Sequence, residues 1–157
     1  MIIRPARLAD VATLGALLDD YRVFYGQPSD PDAARRFVAK RLGLGDAHLL
    51  VSCDDEGVPQ AFVQLYPLFS TVRLAPLWRL NDLFVAPRAR RQGIGRALMN
   101  AARDLALAHG VRQMALATQA DNHAAQALYD ALGWQRDREF YHYALRLGGE
   151  SPHVPTL

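Results

Sequence analysis

Val85-Ala86-Pro87-Arg88-Ala89-Arg90-Arg91-Gln92-Gly93-Ile94-Gly95-Arg96-Ala97-Leu98 is the stretch on which the reading of this chain turns. An apolar run ends at Val85. A turn then places four arginines within nine residues, and Gly93 and Gly95 open an amphipathic segment with Leu98, Ala101, Ala102 and Leu105 on one face. N–H groups at a helix N-terminus have no intrahelical partner and lie at the positive end of the helix dipole. Glycine removes the Cβ atoms that would keep an anion at a distance, and arginine forks match phosphate oxygens. Strand, arginine-rich turn, glycine pair and helix together describe a cradle for a pyrophosphate.

The rest of the chain narrows which one. Its 157 residues suffice for a single domain with a buried core, read here as residues 1–147, followed by a loose tail at 148–157 containing Gly, Pro, Ser and Thr. A formal net charge of +2 argues against nucleic acid as the main partner. No apolar run reaches transmembrane length and the start lacks the apolar core of a signal peptide, so a cytoplasmic protein with no membrane partner is expected. Cys53, the single cysteine, sits in the apolar run Leu49-Leu50-Val51-Ser52-Cys53 and reads as a buried thiol. His48, His109 and His123 show no ligand spacing, and no metal is expected. A nucleotide P-loop motif is absent, as is a Gly-x-Gly-x-x-Gly at the first strand.

Periodicity predicts strands at 2–5, 48–53, 58–66, 77–85 and 111–118, and helices at 8–25, 32–42, 96–109 and 122–132. Residues 67–76 read as an irregular connection, and 134–137 with 140–147 as a closing antiparallel pair. The expected class is α/β, a mixed sheet with helices on both faces.

Three pieces then agree. Arg90-Arg91-Gln92-Gly93-Ile94-Gly95 fits the pattern Gln/Arg-x-x-Gly-x-Gly/Ala, it follows the strand Leu80-Asn81-Asp82-Leu83-Phe84-Val85, and about thirty residues later stand Asn122, Tyr129 and Gly133-Trp134. In these the chain resembles the GNAT superfamily of acetyl-CoA-dependent N-acetyltransferases, and in pattern its polyamine, D-amino acid and histone acetyltransferase-like branch. The resemblance implies a mostly antiparallel sheet of about six or seven strands with a splayed central pair. It implies that the N–H groups of Gln92, Gly93, Ile94, Gly95 and Arg96 bind the pyrophosphate of coenzyme A beside Arg90 and Arg91. The strand Leu83-Phe84-Val85 would offer backbone groups to the pantetheine and the acetyl carbonyl. Asn122 and Tyr129 would touch the cofactor, with Tyr129 donating a proton to the leaving thiolate. It further implies a small-molecule amine as acceptor, with a protein lysine or a non-catalytic acetyl-CoA sensor as alternatives. A homodimer joined through 140–147 is a further expectation.

The residues keep some choices open. Asn122 is also a natural helix cap, and Tyr129 a natural core tyrosine. Tyr21 and Tyr25, with Phe24, Asp19 and Asp20, stand where an amine acceptor would meet aromatic and acidic groups, although Asp19 and Asp20 equally make a solvated face. Asn81 and Asp82 are the remaining acceptor candidates. Strand alternation puts Arg79, Asn81, Leu83 and Val85 on one face and Leu80, Asp82 and Phe84 on the other. The polyamine branch reads Glu-Asp where this chain reads Asn81-Asp82. That leaves the general base unassigned unless a bulge resets the register and returns Asp82 to the cleft.

Overall fold

Val51, Ala61, Val63 and Leu65 are wholly shielded from solvent, and the architecture follows from how two adjacent strands come to be covered on both sides. The structure, a computed structural model, describes residues 1–148; the tail expected from 148 onward falls, beyond that residue, outside the described residues. The chain forms two compact units, Met1–Leu116 and a second beginning at Ala117, and each is described by itself.

The first unit holds β1 (Ile2–Pro5), α1 (Val11–Phe24), α2 (Pro31–Leu44), β2 (His48–Cys53), β3 (Pro59–Ser70), β4 (Ala75–Val85), α3 (Ile94–Ala108) and β5 (Met114–Ala115). The strands lie in sequence order, antiparallel from β1 to β4, with β5 parallel to β4. Leu49, Val51 and Cys53 of β2, with Phe62 and Phe84, pack against Leu14 and Leu17 of α1 and Val38 of α2. The opposite parity, Leu50, Ala61, Val63 and Leu65, is buried on the side of α3, whose Leu98, Met99, Ala102 and Ala106 face inward. Burying these side chains stabilises by about 1.5–3 kcal/mol for each large aliphatic or aromatic group. Helices thus cover both faces, as the sequence led one to expect.

Helix limits follow their caps. Asp30 accepts the N–H of Ala33 at 2.9 Å, Pro31 occupies the first turn, and Gly45 closes α2 in the left-handed region at φ 62°. Leu8–Asp10 forms a separate 3₁₀ turn ahead of α1, so the helix expected from residue 8 begins at Val11. α3 starts at Ile94 rather than 96.

Three expectations are corrected. Residues 67–76 are no irregular connection: β3 and β4 continue as a long hairpin closed by a turn at 71–74. Pro67 pairs with Trp78 and Pro76 with Phe69. Trp78 sends its N–H to Gln113 on the β5 side at 3.2 Å, so these are pairs that need no N–H from the proline. The strand expected at 111–118 pairs over Met114–Ala115 alone, opposite Trp78 and Arg79. β4 carries a bulge just beyond that point, which bends it out of the ladder. The sheet has five strands among the described residues, not six or seven, because 134–137 and 140–147 join no ladder. Tyr141, Tyr143, Leu145 and Leu147 do alternate along the sequence, but all four are exposed, and alternation without a pairing partner does not make a strand.

The second unit contains α4 (His123–Ala131), capped by Asn122, whose side chain accepts the N–H of Ala125 at 3.3 Å, and closed by Gly133 at φ 83°.

Gly15 marks a close approach of α1 to α2. A Cβ placed there would lie 2.9 Å from both Cα and Cβ of Arg35 on α2, against backbone that cannot rotate away. Gly15→Ala should therefore destabilise the fold by about 1–3 kcal/mol despite the better helix propensity of alanine. Chemical denaturation of the two proteins measures the difference.

Candidate active site

The turn after β4 is shaped by two residues in the left-handed region, Arg91 at φ 61° and Gly93 at φ 76°. For arginine that conformation is strained, and strain of this kind is held at sites where backbone groups must be aimed. Gly93 has open space around the position of a Cβ, so glycine is required there for its φ and not for packing. The first bond inside α3 runs from the N–H of Ala97 to the carbonyl of Gly93 at 3.0 Å. The N–H groups of Arg91, Gln92, Gly93, Ile94, Gly95 and Arg96 accordingly donate to no acceptor among the described residues. Six consecutive unpaired donors at a helix N-terminus form a ready anion site, and they fit a pyrophosphate. Arg91 and Arg96 are exposed beside it. Arg90 points elsewhere. Its Nε donates to the carbonyl of Val85 at 3.0 Å, and its guanidinium lies 5.9 Å from the Phe24 ring and 5.7 Å from that of Phe84.

Along β4, pairing with β5 ends at Arg79. The edge that carries Leu83, Phe84 and Val85 has no strand partner on that side among the described residues, which leaves backbone groups for an extended ligand. The phenyl ring of Phe84 belongs to the core, so only its backbone is available.

The bulge decides the acceptor side. Gln64 pairs with Asp82 but Leu65 with Leu80, so Asn81 is an extra residue in β4. Parity is reset across it. Leu80, Leu83 and Val85 share the α3 face, and Arg79, Asp82 and Phe84 share the α1 face, which replaces the simple alternation expected from sequence. Asp82 keeps the face of Phe84, under α1 beside Tyr21, and it is Arg79 that the bulge brings onto that face. Its Oδ2 accepts from Gln64 Nε2 and from Asn81 Nδ2, each at 3.0 Å, and Tyr21 is also hydrogen-bonded to it. Burial pushes the Asp82 carboxyl above the ordinary carboxylate range, against the pull of those three donors and of Arg79. The same burial, with the Asp82 charge, raises the Tyr21 phenol far above its usual value and Tyr66 to about 12, so both stay protonated donors.

Tyr21 meets Tyr25 edge-on at 4.9 Å, Phe62 at 5.9 Å and Phe84 at 5.8 Å. Tyr21, Asn81 and Asp82 are therefore brought together, with Tyr25 at the margin. Asp19 is not part of this group. It is buried and accepts from Ser29 Oγ at 2.6 Å, from the N–H of Asp30 at 2.7 Å and from Arg22 at 3.2 Å, tying α1 to the start of α2. It is neither a cleft acid nor a solvated one.

Gln64 went unnoticed in the sequence. The signal was there: one amide inside Ala61-Phe62-Val63-Gln64-Leu65, a buried run that tolerates polar groups only when they are paired. His48 is likewise no plain surface residue, since its ring stacks on Trp78 at 4.2 Å beside His109. In the second unit, Asn122 and Tyr129 are both half-buried, and the Tyr129 ring lies 6.4 Å from Trp134. No cluster of metal-ligating residues occurs among the described residues, and no helix there is long and apolar enough to cross a membrane.

The model of the acetyltransferase (GNAT) family matches residues 14–134. The chain belongs to the GNAT family. It is 39% identical over 147 residues to the uncharacterized N-acetyltransferase YhfO of Bacillus subtilis (strain 168), covering 94% of this chain and 98% of that protein. A probable acetyltransferase of Haemophilus influenzae (strain ATCC 51907 / DSM 11121 / KW20 / Rd) is 30% identical over 95 residues, 60% of this chain and 65% of its own. Among solved structures, a probable acetyltransferase superposes with TM-score 0.89 at 36% identity, over 96% of this chain and all of the other. This GNAT chain is accordingly an N-acetyltransferase, an acyltransferase whose family implies acetyl-CoA as donor.

Gly93→Val should drive the cradle out of its left-handed turn. The expected loss is about tenfold or more in coenzyme A affinity, the equivalent of 1–2 kcal/mol of backbone strain or misaimed donors. Isothermal titration measures it, with circular dichroism to show that the fold persists.

Proposed function

We propose that this enzyme acetylates the primary amine of a small, amino-acid-like molecule by direct attack of the amine on the thioester of acetyl-CoA, with no covalent enzyme intermediate. The observation that carries the acceptor half is Asp82 itself, a half-buried carboxylate held beside Tyr21, with Arg79 brought onto its face by the bulge at Asn81. An amine reaches neutral solution as an ammonium and must lose a proton before it attacks. Asp82 attracts the ammonium, and its raised pKa brings it closer to the proton it must take. A carboxylate base on β4 is thus available although Asn81 replaces an acid, which removes the main reason for reading the chain as a sensor.

On the donor side, acetyl-CoA supplies the activated carbonyl. The N–H groups of Gln92, Gly93, Ile94, Gly95 and Arg96 hold its pyrophosphate, with Arg91 adding charge, while Arg90 is turned away onto Phe24 and Phe84. Backbone groups of Leu83 and Val85, on either side of Phe84, orient the pantetheine and offer a donor to the carbonyl oxygen as charge develops on it. Asn122 steadies the cofactor, and Tyr129 protonates the departing thiolate, a task suited to a phenol that is neutral at pH 7.

Two substitutions test these roles. Tyr129→Phe should lower kcat by about 100-fold or more while the KM for acetyl-CoA shifts little, as expected for a group used only as the thiolate leaves. An unchanged kcat sinks the proton-donor role. For Asp82 the sign is set by its raised pKa. At low pH the carboxyl holds a proton and cannot accept another, so activity rises with pH through a limb lying above the ordinary carboxylate range. Asp82→Asn should depress kcat/KM and erase that limb. The readout is a pH–rate profile with acetylated product quantified by mass spectrometry.

A further inference from the structure

Asp82 is not the only fixed charge on its face of the sheet. Arg79 shares that face, opposite Tyr66 as Asp82 is opposite Gln64. Because Asn81 is the extra residue, Arg79 and Asp82 stand two regular strand steps apart, roughly 7 Å along β4. Asn81 joins them: its Oδ1 accepts from Arg79 Nε at 3.1 Å while its Nδ2 donates to Asp82 at 3.0 Å. The amide thus aims both groups, and only the Nε of Arg79 is used. Neither terminal nitrogen of that guanidinium makes a hydrogen bond or an ion pair among the described residues. A half-buried fork with two unused parallel donors is suited to a carboxylate.

The other charges nearby point the same way. Arg41 and Asp46, which flank Tyr66, are paired with each other at 3.2 Å and cancel. Arg90 holds its own cation over Phe24 and Phe84, the rings on which a second ammonium of an extended polycation would otherwise rest. Around Asp82 stand two guanidinium groups, those of Arg79 and Arg90, that form no ion pair among the described residues. That balance repels a polyamine and leaves positive charge for the substrate to neutralise.

We infer that the acceptor is a zwitterion, an amino acid whose amine is received at Asp82 and whose carboxylate is clamped by Arg79. This rests on the acetyl-transfer reading above and names its substrate class. Arg79 is then the residue that determines specificity: it selects for the carboxylate while Asp82 handles the proton. Asn81 gains a reason as well. An acid at that position would pair with the guanidinium and use up the fork, whereas an amide orients it and leaves its charge available.

The test compares amines that differ at one group. Purified enzyme with acetyl-CoA is offered a set of L- and D-amino acids, the corresponding amino acid amides, the decarboxylated amines and spermidine, with products read by mass spectrometry. The wild type is expected to favour at least one acid over its own amide by about tenfold or more in kcat/KM. Arg79→Gln should remove that preference chiefly by raising the KM for the acid, and Arg79→Lys should restore part of it, since a lysine keeps the charge without the fork. Equal use of acids and amides, a preference that survives Arg79→Gln, or acetylation confined to spermidine and simple amines overturns the zwitterion while leaving acetyl transfer intact. No product from any amine, with coenzyme A bound, overturns both.

Discussion

One residue inserted in β4 sets the chemistry of the sheet. Without the bulge at Asn81, strict alternation would put Leu80 on the face of Asp82 and Phe84 and send Arg79 to the other, and the α1 face would present an apolar side chain where it now presents an ionisable one. The insertion does three things at once. It brings Arg79 onto the face of Asp82, it ends the β5 ladder at Arg79, and it thereby leaves the following stretch of β4 with an open edge. A carboxylate beneath a helix and unpaired backbone at a strand edge are both costly in isolation. Here the open edge and the placing of Arg79 on the face of Asp82 arise from a single local defect, and the core on either side of it remains continuous: Leu80, Phe84 and Ala86 are all buried.

The carboxylate persists because its neighbours donate to it. Gln64 is buried in β3 and satisfies its amide on Asp82 and on the Tyr66 hydroxyl. A polar network of this kind is stable only when each member is paired, and its removal would leave several orphaned groups rather than one. The anion cradle works on the opposite logic. Its six N–H groups have no acceptor among the described residues, and the left-handed Arg91 and Gly93 hold them in line.

How much of this was legible beforehand follows from the range of each signal. The cradle is local, a matter of glycine, arginine and the start of a helix within a dozen residues, and sequence suffices to find it. The cores of β2, β3 and α3 are legible for the same reason, since burial leaves a periodic trace. Register is different. A bulge is a relation between two strands, and the run Leu80-Asn81-Asp82 contains nothing that distinguishes an inserted residue from an alternating one. The hairpin at 67–76 was hidden by its prolines, which read as breakers until their pairing positions are known. Asp19 was misread because its donors, Ser29 and Asp30, lie ten and eleven residues away across a turn. The final pair of strands shows the reverse failure: 140–147 has the pattern but no partner among the described residues.

Asp19 and Tyr21 belong to the same turn of α1. One side of that turn is fastened to the cap of α2, and the other reaches down to the buried carboxylate. The connection between the two helices, residues 25–30, therefore serves as a gauge as well as a link. It holds Gly26 at φ 81° and ties Ser29 to Asp19, but its side chain at Pro28 projects into solvent and is free to drift. Its span is not, since a residue added or removed there would slide Ser29 off Asp19 and rotate Tyr21 about the helix axis, away from the acid it attends. In this connection the tolerance to substitution is a property of single positions such as Pro28, and the tolerance to a change of length is small throughout.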